Sequence, residues 1–289
     1  MTTNRRHIAA LSPSGIFTPE KLDASVKLIE SWGHRIYFAP NFAAKHRYTA
    51  GTEEQRLQDF IWALEHPDID TIWFIRGGYG TAQLLERLPP YTEKTIIGFS
   101  DATALLSHGS NLQWPNLYHG PVLNSLASLC DKASIEAVRH FLDTNQTPAI
   151  YGEHAFGPTT EIHGSLVGGN LCVLASLCGT PYQLNADGCI LALEDIAEPL
   201  YKIDRMLLQL EQSGLFVGVK AILMGSYHNC SPPIDATYSL LDVFRERLTK
   251  LNIPVYINAP FGHNEVNWIW RVGQEVRLAH DPSSHQSFE

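Results

Sequence analysis

Long apolar runs are missing from this chain. No stretch approaches the ~18 consecutive apolar residues a membrane-crossing helix requires, so no transmembrane helix is expected. A signal-peptide core is missing too. In MTTNRRHIAALSPSG, Arg5 and Arg6 are followed by a run of only five residues before Ser12-Pro13, which is too short for such a core. The protein is therefore expected to start near Met1 and to work in the cytoplasm. Lys/Arg-rich runs are absent. With 21 Lys+Arg against 30 Asp+Glu and a net charge of −9, a nucleic-acid backbone is a poor partner. Cysteines number only five, an odd count without CxxC spacing. That excludes a disulfide framework and a thiolate zinc site, and leaves reduced, mostly buried thiols. HEXXH spacing is lacking as well. His263 and Glu265 could offer two ligands, but no metal is expected.

What is present is enough to fold. Hydrophobic residues make up 44% and charged residues 18%, a balance that builds a core and excludes intrinsic disorder. A length of 289 residues favours two modest domains. The first half alternates strands and helices. Strands are expected at 7–11, 35–39, 70–75 and 95–98, and helices at 18–32, from Thr52 onward, at 81–87 and near 102–109. In the helix after Thr52, Leu57, Phe60, Ile61 and Leu64 repeat at helical spacing. Such alternation implies a parallel, Rossmann-like α/β sheet with sites at the carboxyl ends of its strands. The stretch 143–163, rich in Thr, Pro and Gly, reads as the crossing between domains. Beyond it, strands at 189–194, 220–226 and 254–257 alternate with helices at 199–213 and 236–250. Val266–Trp270 and Glu275–Leu278, around Arg271-Val272-Gly273, read as a terminal hairpin.

Several segments could carry chemistry. Gly98-Phe99-Ser100-Asp101-Ala102 places a serine at a strand-to-helix turn, where it is either an exposed nucleophile or a helix cap. The hydrolase elbow G-x-S-x-G is incomplete, because Ala102 stands at its last glycine. Arg76-Gly77-Gly78-Tyr79-Gly80 follows a strand and could supply oxyanion donors or merely a tight turn; it matches neither phosphate-binding glycine pattern. Glu194-Asp195 ends an apolar strand as a desolvated carboxylate or as the first polar loop residue. His263 is one of thirteen histidines.

Taken in order, these segments resemble a known family. They are Arg76–Gly80, Gly98–Asp101 with Thr103-Ala104, Gly168-Gly169-Asn170-Leu171, Leu193-Glu194-Asp195 with Ile203-Asp204-Arg205-Met206-Leu207, and Phe261-Gly262-His263. The chain resembles the LD-carboxypeptidase family of serine peptidases, which includes muramoyl-tetrapeptide carboxypeptidases and microcin-immunity peptidases. One departure is Val167, where many relatives carry Trp; it could alter a pocket wall. The resemblance implies an N-terminal α/β domain (1–145) carrying the nucleophile, a linker (146–163), and a smaller mixed, β-rich domain (164–289). It also implies a Ser100–His263–Glu194 triad in an interdomain cleft, a homodimer, and neither metal nor cofactor. The implied reaction releases terminal D-alanine from the L-centre of diaminopimelate in murein tetrapeptides. Ser100 would attack, His263 would move the proton, and Glu194 would fix the imidazole. The backbone N–H groups of Gly78 and Asp101 are the expected oxyanion hole. Arg76, with Gly77 and Tyr79, is expected to bind substrate, ahead of Arg205 and Arg271. Rival readings are a same-family peptidase acting on peptidyl or aminoacyl adenylates, with Trp268 or Trp270 stacking on adenine, and a non-catalytic muropeptide-binding module. A one-domain esterase is disfavoured by Ala102.

Overall fold

The computed structural model describes residues 5–279. The chain divides into two compact units. Among the described residues, one takes in those up to Pro148 together with Glu265–Arg271, and the other Ala149–Asn264 together with those from Val272 to 279. Each is built on a six-stranded sheet, and the fold class is α/β.

In the first unit, β1 (His7–Leu11), β2 (Arg35–Phe38), β3 (Thr71–Phe74), β4 (Thr95–Gly98) and β5 (Leu117–His119) run parallel. β1, β3, β4 and β5 are apolar and buried almost throughout, as a parallel sheet covered on both faces requires, while β2 at the edge is buried only at Ile36. Ile8, Trp73 and Ile97 pack with Ile29 and Phe141 of the flanking helices. Phe74, the next residue along β3, instead meets the ring of Phe60 edge-on. From β1 the order runs to β2 on one side and to β3 on the other. The carboxyl ends of β1 and β3 therefore flank a topological switch point, where doubly wound sheets place their sites. The helix expected at 81–87 is a 3-10 helix, Thr81–Arg87.

In the second unit, β7 (Ile162–Asn170), β8 (Ile190–Ile196), β9 (Ala221–His228) and β10 (Val255–Ile257) are parallel and adjacent in chain order. The connecting helices Leu171–Leu177, Leu200–Gln212 and Leu240–Leu248 pack side by side. The middle one buries Leu200, Ile203, Met206, Leu207 and Leu210 as one apolar stripe. Antiparallel strands close both edges, β6 (Glu153–Phe156) against β10 and β12 (Glu275–Leu278) against β7.

Two expectations are corrected. Residues 146–163 are not only a linker, because β6 and the start of β7 lie within them. A four-residue edge strand of Glu, His, Ala and Phe, set in a stretch rich in Thr, Pro and Gly, has little apolar alternation to betray it. The terminal hairpin is absent as well. β11 (Trp270–Arg271) pairs with β5 in the first sheet, whereas β12 pairs with β7 in the second. Residues 265–271, expected in the C-terminal domain, thus belong to the first unit. Trp270 is fully buried and stacks on His119 at 4.7 Å between ring centroids, and that burial fixes the partner of β11.

Candidate active site

Ser100 follows β4 at the first position of a short 3-10 turn, Ser100–Ala102. Its φ is +62°, a left-handed conformation that costs a non-glycine residue free energy and persists only where its surroundings impose it. The surroundings here are close. A Cβ on Gly98 would stand 2.5 Å from that of Ala102. Gly98, having no side chain, accommodates the alanine where the hydrolase elbow has glycine. A Cβ on Gly77 would lie 2.7 Å from Ser100 Cβ and 2.9 Å from its Oγ. The Gly77 backbone therefore runs directly against the serine, and Gly78 packs against Gly15. Gly78, at φ +117°, turns the chain as only glycine does readily.

Asp101 is the anchor of this corner, a role the sequence reading missed. Its side chain is buried, and Oδ2 accepts from Ser14 Oγ at 2.6 Å and from the Thr81 N–H at 2.9 Å. Ser14 and Thr81 hydroxyls also meet at 2.8 Å. The loops after β1, β3 and β4 are thereby tied to one carboxylate. The Gly15 N–H donates to the Gly77 carbonyl at 3.0 Å, adding a backbone tie. The only sequence signal was an Asp beside the serine, which helix capping explained equally well.

In the second unit, Glu194 and His263 are brought together. Glu194 is fully buried at the carboxyl end of β8, and its Oε2 lies 2.6 Å from His263 Nδ1. Opposite Glu194 the ladder to β9 slips. Leu193 pairs with Met224, but Asp195 pairs with Tyr227, so β9 carries an extra residue there. Such bulges re-aim side chains next to sites. Phe261 and Gly262 fill the space beside it. The Ser226 N–H donates to the Phe261 carbonyl at 2.8 Å, and a Cβ on Gly225 would meet that oxygen at 2.4 Å. A Cβ on Gly262, at φ +129°, would meet Ser226 Oγ at 2.2 Å. The bulge thus seats the loop that delivers His263.

Asn170 and Asp195 complete the environment. Asn170 ends β7 and caps the next helix, accepting from the Val173 N–H at 3.1 Å. Its amide donates to Glu194 Oε1 at 3.3 Å and to Asp195 Oδ1 at 3.0 Å. Asp195 also accepts from the N–H groups of Cys172 and Ile196, at 2.9 and 2.8 Å. Burial, reinforced by the charge of Glu194, pushes the Asp195 carboxyl from its ordinary 3.8 to about 6. Burial also holds the Tyr227 phenol well above 10, helped by the same two carboxylates. Between about pH 4 and 6 the folded protein holds the Asp195 proton and the unfolded chain has released it. The contribution of Asp195 is therefore present below about pH 4 and is lost as pH rises through 6. Urea unfolding from pH 4 to 7 is expected to show that downward component in the native protein and to lack it in Asp195→Asn. Parallel curves would contradict this.

The other expected residues are scattered. Arg76 is exposed and donates to the Ile16 carbonyl. Tyr79 is half-exposed against Tyr48, ring centroids 5.8 Å apart. Arg205 lies over the Tyr201 ring. Val167 is a core residue of β7, opposite Leu191. Trp270, buried in the first sheet, cannot stack on an adenine. Among the described residues, no three His, Cys, Asp or Glu side chains cluster as metal ligands, and no helix is long and apolar enough to cross a membrane.

The chain is similar to known proteins along most of its length. Residues 8–120 match the model of the LD-carboxypeptidase N-terminal domain, and 163–278 that of the LD-carboxypeptidase C-terminal domain. A murein tetrapeptide carboxypeptidase of Pseudomonas aeruginosa is 34% identical over 94% of this chain and 92% of its own. The crystal structure of a muramoyltetrapeptide carboxypeptidase from Oxalobacter formigenes superposes with a TM-score of 0.81, covering 95% of both chains at 28% identity. The microcin C7 self-immunity protein MccF, at 22% identity, shares the fold with a TM-score of 0.84 over 96% of this chain and 94% of its own. Both domain models in their proper order, and a relative matched along nearly the whole length, make this chain a member of the LD-carboxypeptidase family.

Proposed function

We propose that the protein is a serine carboxypeptidase that hydrolyses the L,D bond of murein tetrapeptides and releases the terminal D-alanine. The observation that carries this is the buried Glu194 carboxylate on His263 Nδ1 at 2.6 Å, in a chain whose Ser100 is held in a left-handed turn. With Nδ1 occupied, Nε2 of His263 is the nitrogen that takes the proton as Ser100 Oγ attacks the scissile carbonyl. Glu194 fixes that tautomer and stabilises the imidazolium. The N–H groups of Gly78 and Asp101 receive the oxyanion. The tetrahedral adduct collapses to an acyl-enzyme, and His263 passes its proton to the departing amine of D-alanine. Water then attacks the acyl carbon with His263 again as base, restoring Ser100. Arg76, beside the Gly77–Tyr79 loop, is assigned to the terminal carboxylate. The reading includes the homodimer implied by the family resemblance, which sedimentation velocity reads out. It also places the enzyme in the cytoplasm, a reducing compartment that suits five unpaired cysteines.

The test is release of free D-alanine from purified peptides. Inverting the last residue exchanges methyl and hydrogen about a held carboxylate, and a misplacement of about 1 Å costs ~10²-fold in rate. A tetrapeptide ending in D-Ala is expected to be cleaved, and its L-Ala epimer to be slower in kcat/KM by at least that factor. A pentapeptide ending in D-Ala-D-Ala should resist, because its scissile carbonyl belongs to a D-residue. Comparable values for all three would remove the L,D assignment. Turnover of an aminoacyl sulfamoyl adenosine, with none of the tetrapeptide, would replace the substrate.

A further inference from the structure

A cavity of about 190 Å³ lies in the first unit between the 46–49 turn and the start of the helix Glu53–Glu65, lined by Arg47, Tyr48, Glu53, Arg56 and Gln83 among others. The turn is rigid. His46 and Thr49 exchange both backbone hydrogen bonds at 2.9 Å, and Thr49 Oγ1 donates to the His46 carbonyl at 2.8 Å. At its tip Arg47 takes a φ of +54°, a costly conformation for arginine. The turn is also tied to the corner that holds Ser100. The Ala50 N–H donates to the Ser14 carbonyl at 2.9 Å, and Ser14 is a ligand of the Asp101 carboxylate.

The cavity has an electrostatic peculiarity. Arg56 is 2% exposed, yet its guanidinium donates only to the carbonyls of Pro13 and Gly80 and to Gln83 Oε1. Its Nε has no hydrogen-bond partner among the described residues. The charges of Glu53 and Asp101 reach it only through space. A buried guanidinium without a direct carboxylate is an unusual expense, and with Arg47 it sets two positive charges against the single carboxylate of Glu53 on the cavity wall. Tyr48 of the cavity wall (64% exposed) stands edge to face with Tyr79 (51% exposed), and Tyr79 belongs to the glycine loop that abuts Ser100. Two guanidinium groups, one of them on a strained backbone, and the exposed ring of Tyr48 thus meet in one recess tied to the serine corner.

We propose that this cavity is a subsite for a carboxylate on the acyl side of the substrate, bound by Arg47 in the field of Arg56, with Tyr48 and Tyr79 flanking the peptide that carries it. The inference rests on the proposed carboxypeptidase reading, since it names a further group of that same substrate. A planar guanidinium receives a carboxylate through paired hydrogen bonds, and a charge-assisted bond of this kind corresponds to about tenfold in affinity or more.

The test uses Arg47→Asn, because asparagine adopts the left-handed turn readily and so removes the guanidinium while keeping the backbone of the turn. Two tetrapeptides are compared, one with its stem carboxylate free and one with that carboxylate amidated. The native enzyme is expected to prefer the free form by about tenfold in kcat/KM, expressed in KM, and Arg47→Asn to lose that preference. In parallel, glutarate is titrated against both proteins while the Arg56 Nε–H resonance is followed. It should shift in the native protein and stay still in the variant. D-Alanine release with no preference, and no glutarate shift, would overturn the subsite and leave the carboxypeptidase standing. A glutarate shift dependent on Arg47, without D-alanine release, would sustain the carboxylate site and remove the carboxypeptidase. Failure of both measurements would remove both.

Discussion

Replacing Ser100 with alanine should lower D-alanine release by roughly 10⁴–10⁶-fold, and adding His263→Ala to it should cost almost nothing more. A nucleophile and its base act as one unit, so the second loss finds nothing left to remove. Ser100→Ala is well suited to the experiment. The position already carries a strained φ of +62°, and alanine keeps the Cβ that abuts Gly77 while removing only Oγ. The fold should persist, as far-UV circular dichroism and the unfolding midpoint would register. A double variant whose loss equals the product of the single losses would contradict a shared mechanism for the two residues.

Glu194→Gln is expected to reduce kcat/KM by about 10³–10⁴-fold, with KM little changed. The carboxylate is fully buried and accepts from His263 Nδ1 at 2.6 Å. Glutamine has the same size, so the site stays filled. Its amide can present N–H where the carboxylate accepted, and this favours the imidazole tautomer with its proton on Nε2, which cannot act as base. Nothing then balances the imidazolium as it forms. Asn170 sharpens the effect, because its amide already donates to the other Glu194 oxygen at 3.3 Å. It therefore favours the glutamine rotamer that turns its own N–H₂ toward His263. Activity within tenfold of the native enzyme would remove Glu194 from the mechanism.

Much of the first sheet was legible because its signals are local. β1, β3 and β4 are short apolar runs ending in turn formers, and the helix after Thr52 announces itself by a capping box and by the spacing of Leu57, Phe60 and Leu64. The members of the candidate site were legible as residue types at the ends of strands. Their partners were not. Nothing local in the sequence says that Ser14, Thr81 and Asp101 share one set of hydrogen bonds, since they lie up to 87 residues apart. The bulge opposite Glu194 is equally silent, because an extra residue in β9 leaves its apolar pattern almost intact. Arg56 was hidden for a different reason. An arginine on an amphipathic helix is ordinarily solvated, and only the fold reveals that this one is enclosed. β11 misled for want of length, as two residues of strand carry no register and a Val-Gly turn suits a hairpin as well as a crossing.

The pairing of β11 with β5 has a consequence for biosynthesis. The first sheet is opened by residue 7 and closed at its far edge by residues 270–271, after almost the entire second unit has been translated. A nascent chain that has emerged only through Pro148 therefore presents β5 as a raw edge, with His119 lacking the indole that covers it. Non-local closure of this kind is slow, and an uncovered edge invites pairing with another chain. A ribosome-bound intermediate of that length is expected to be open to association through β5. A gene truncated between the two units should yield an aggregating fragment, and a short peptide spanning 265–271, supplied in trans, is the natural agent to quiet it.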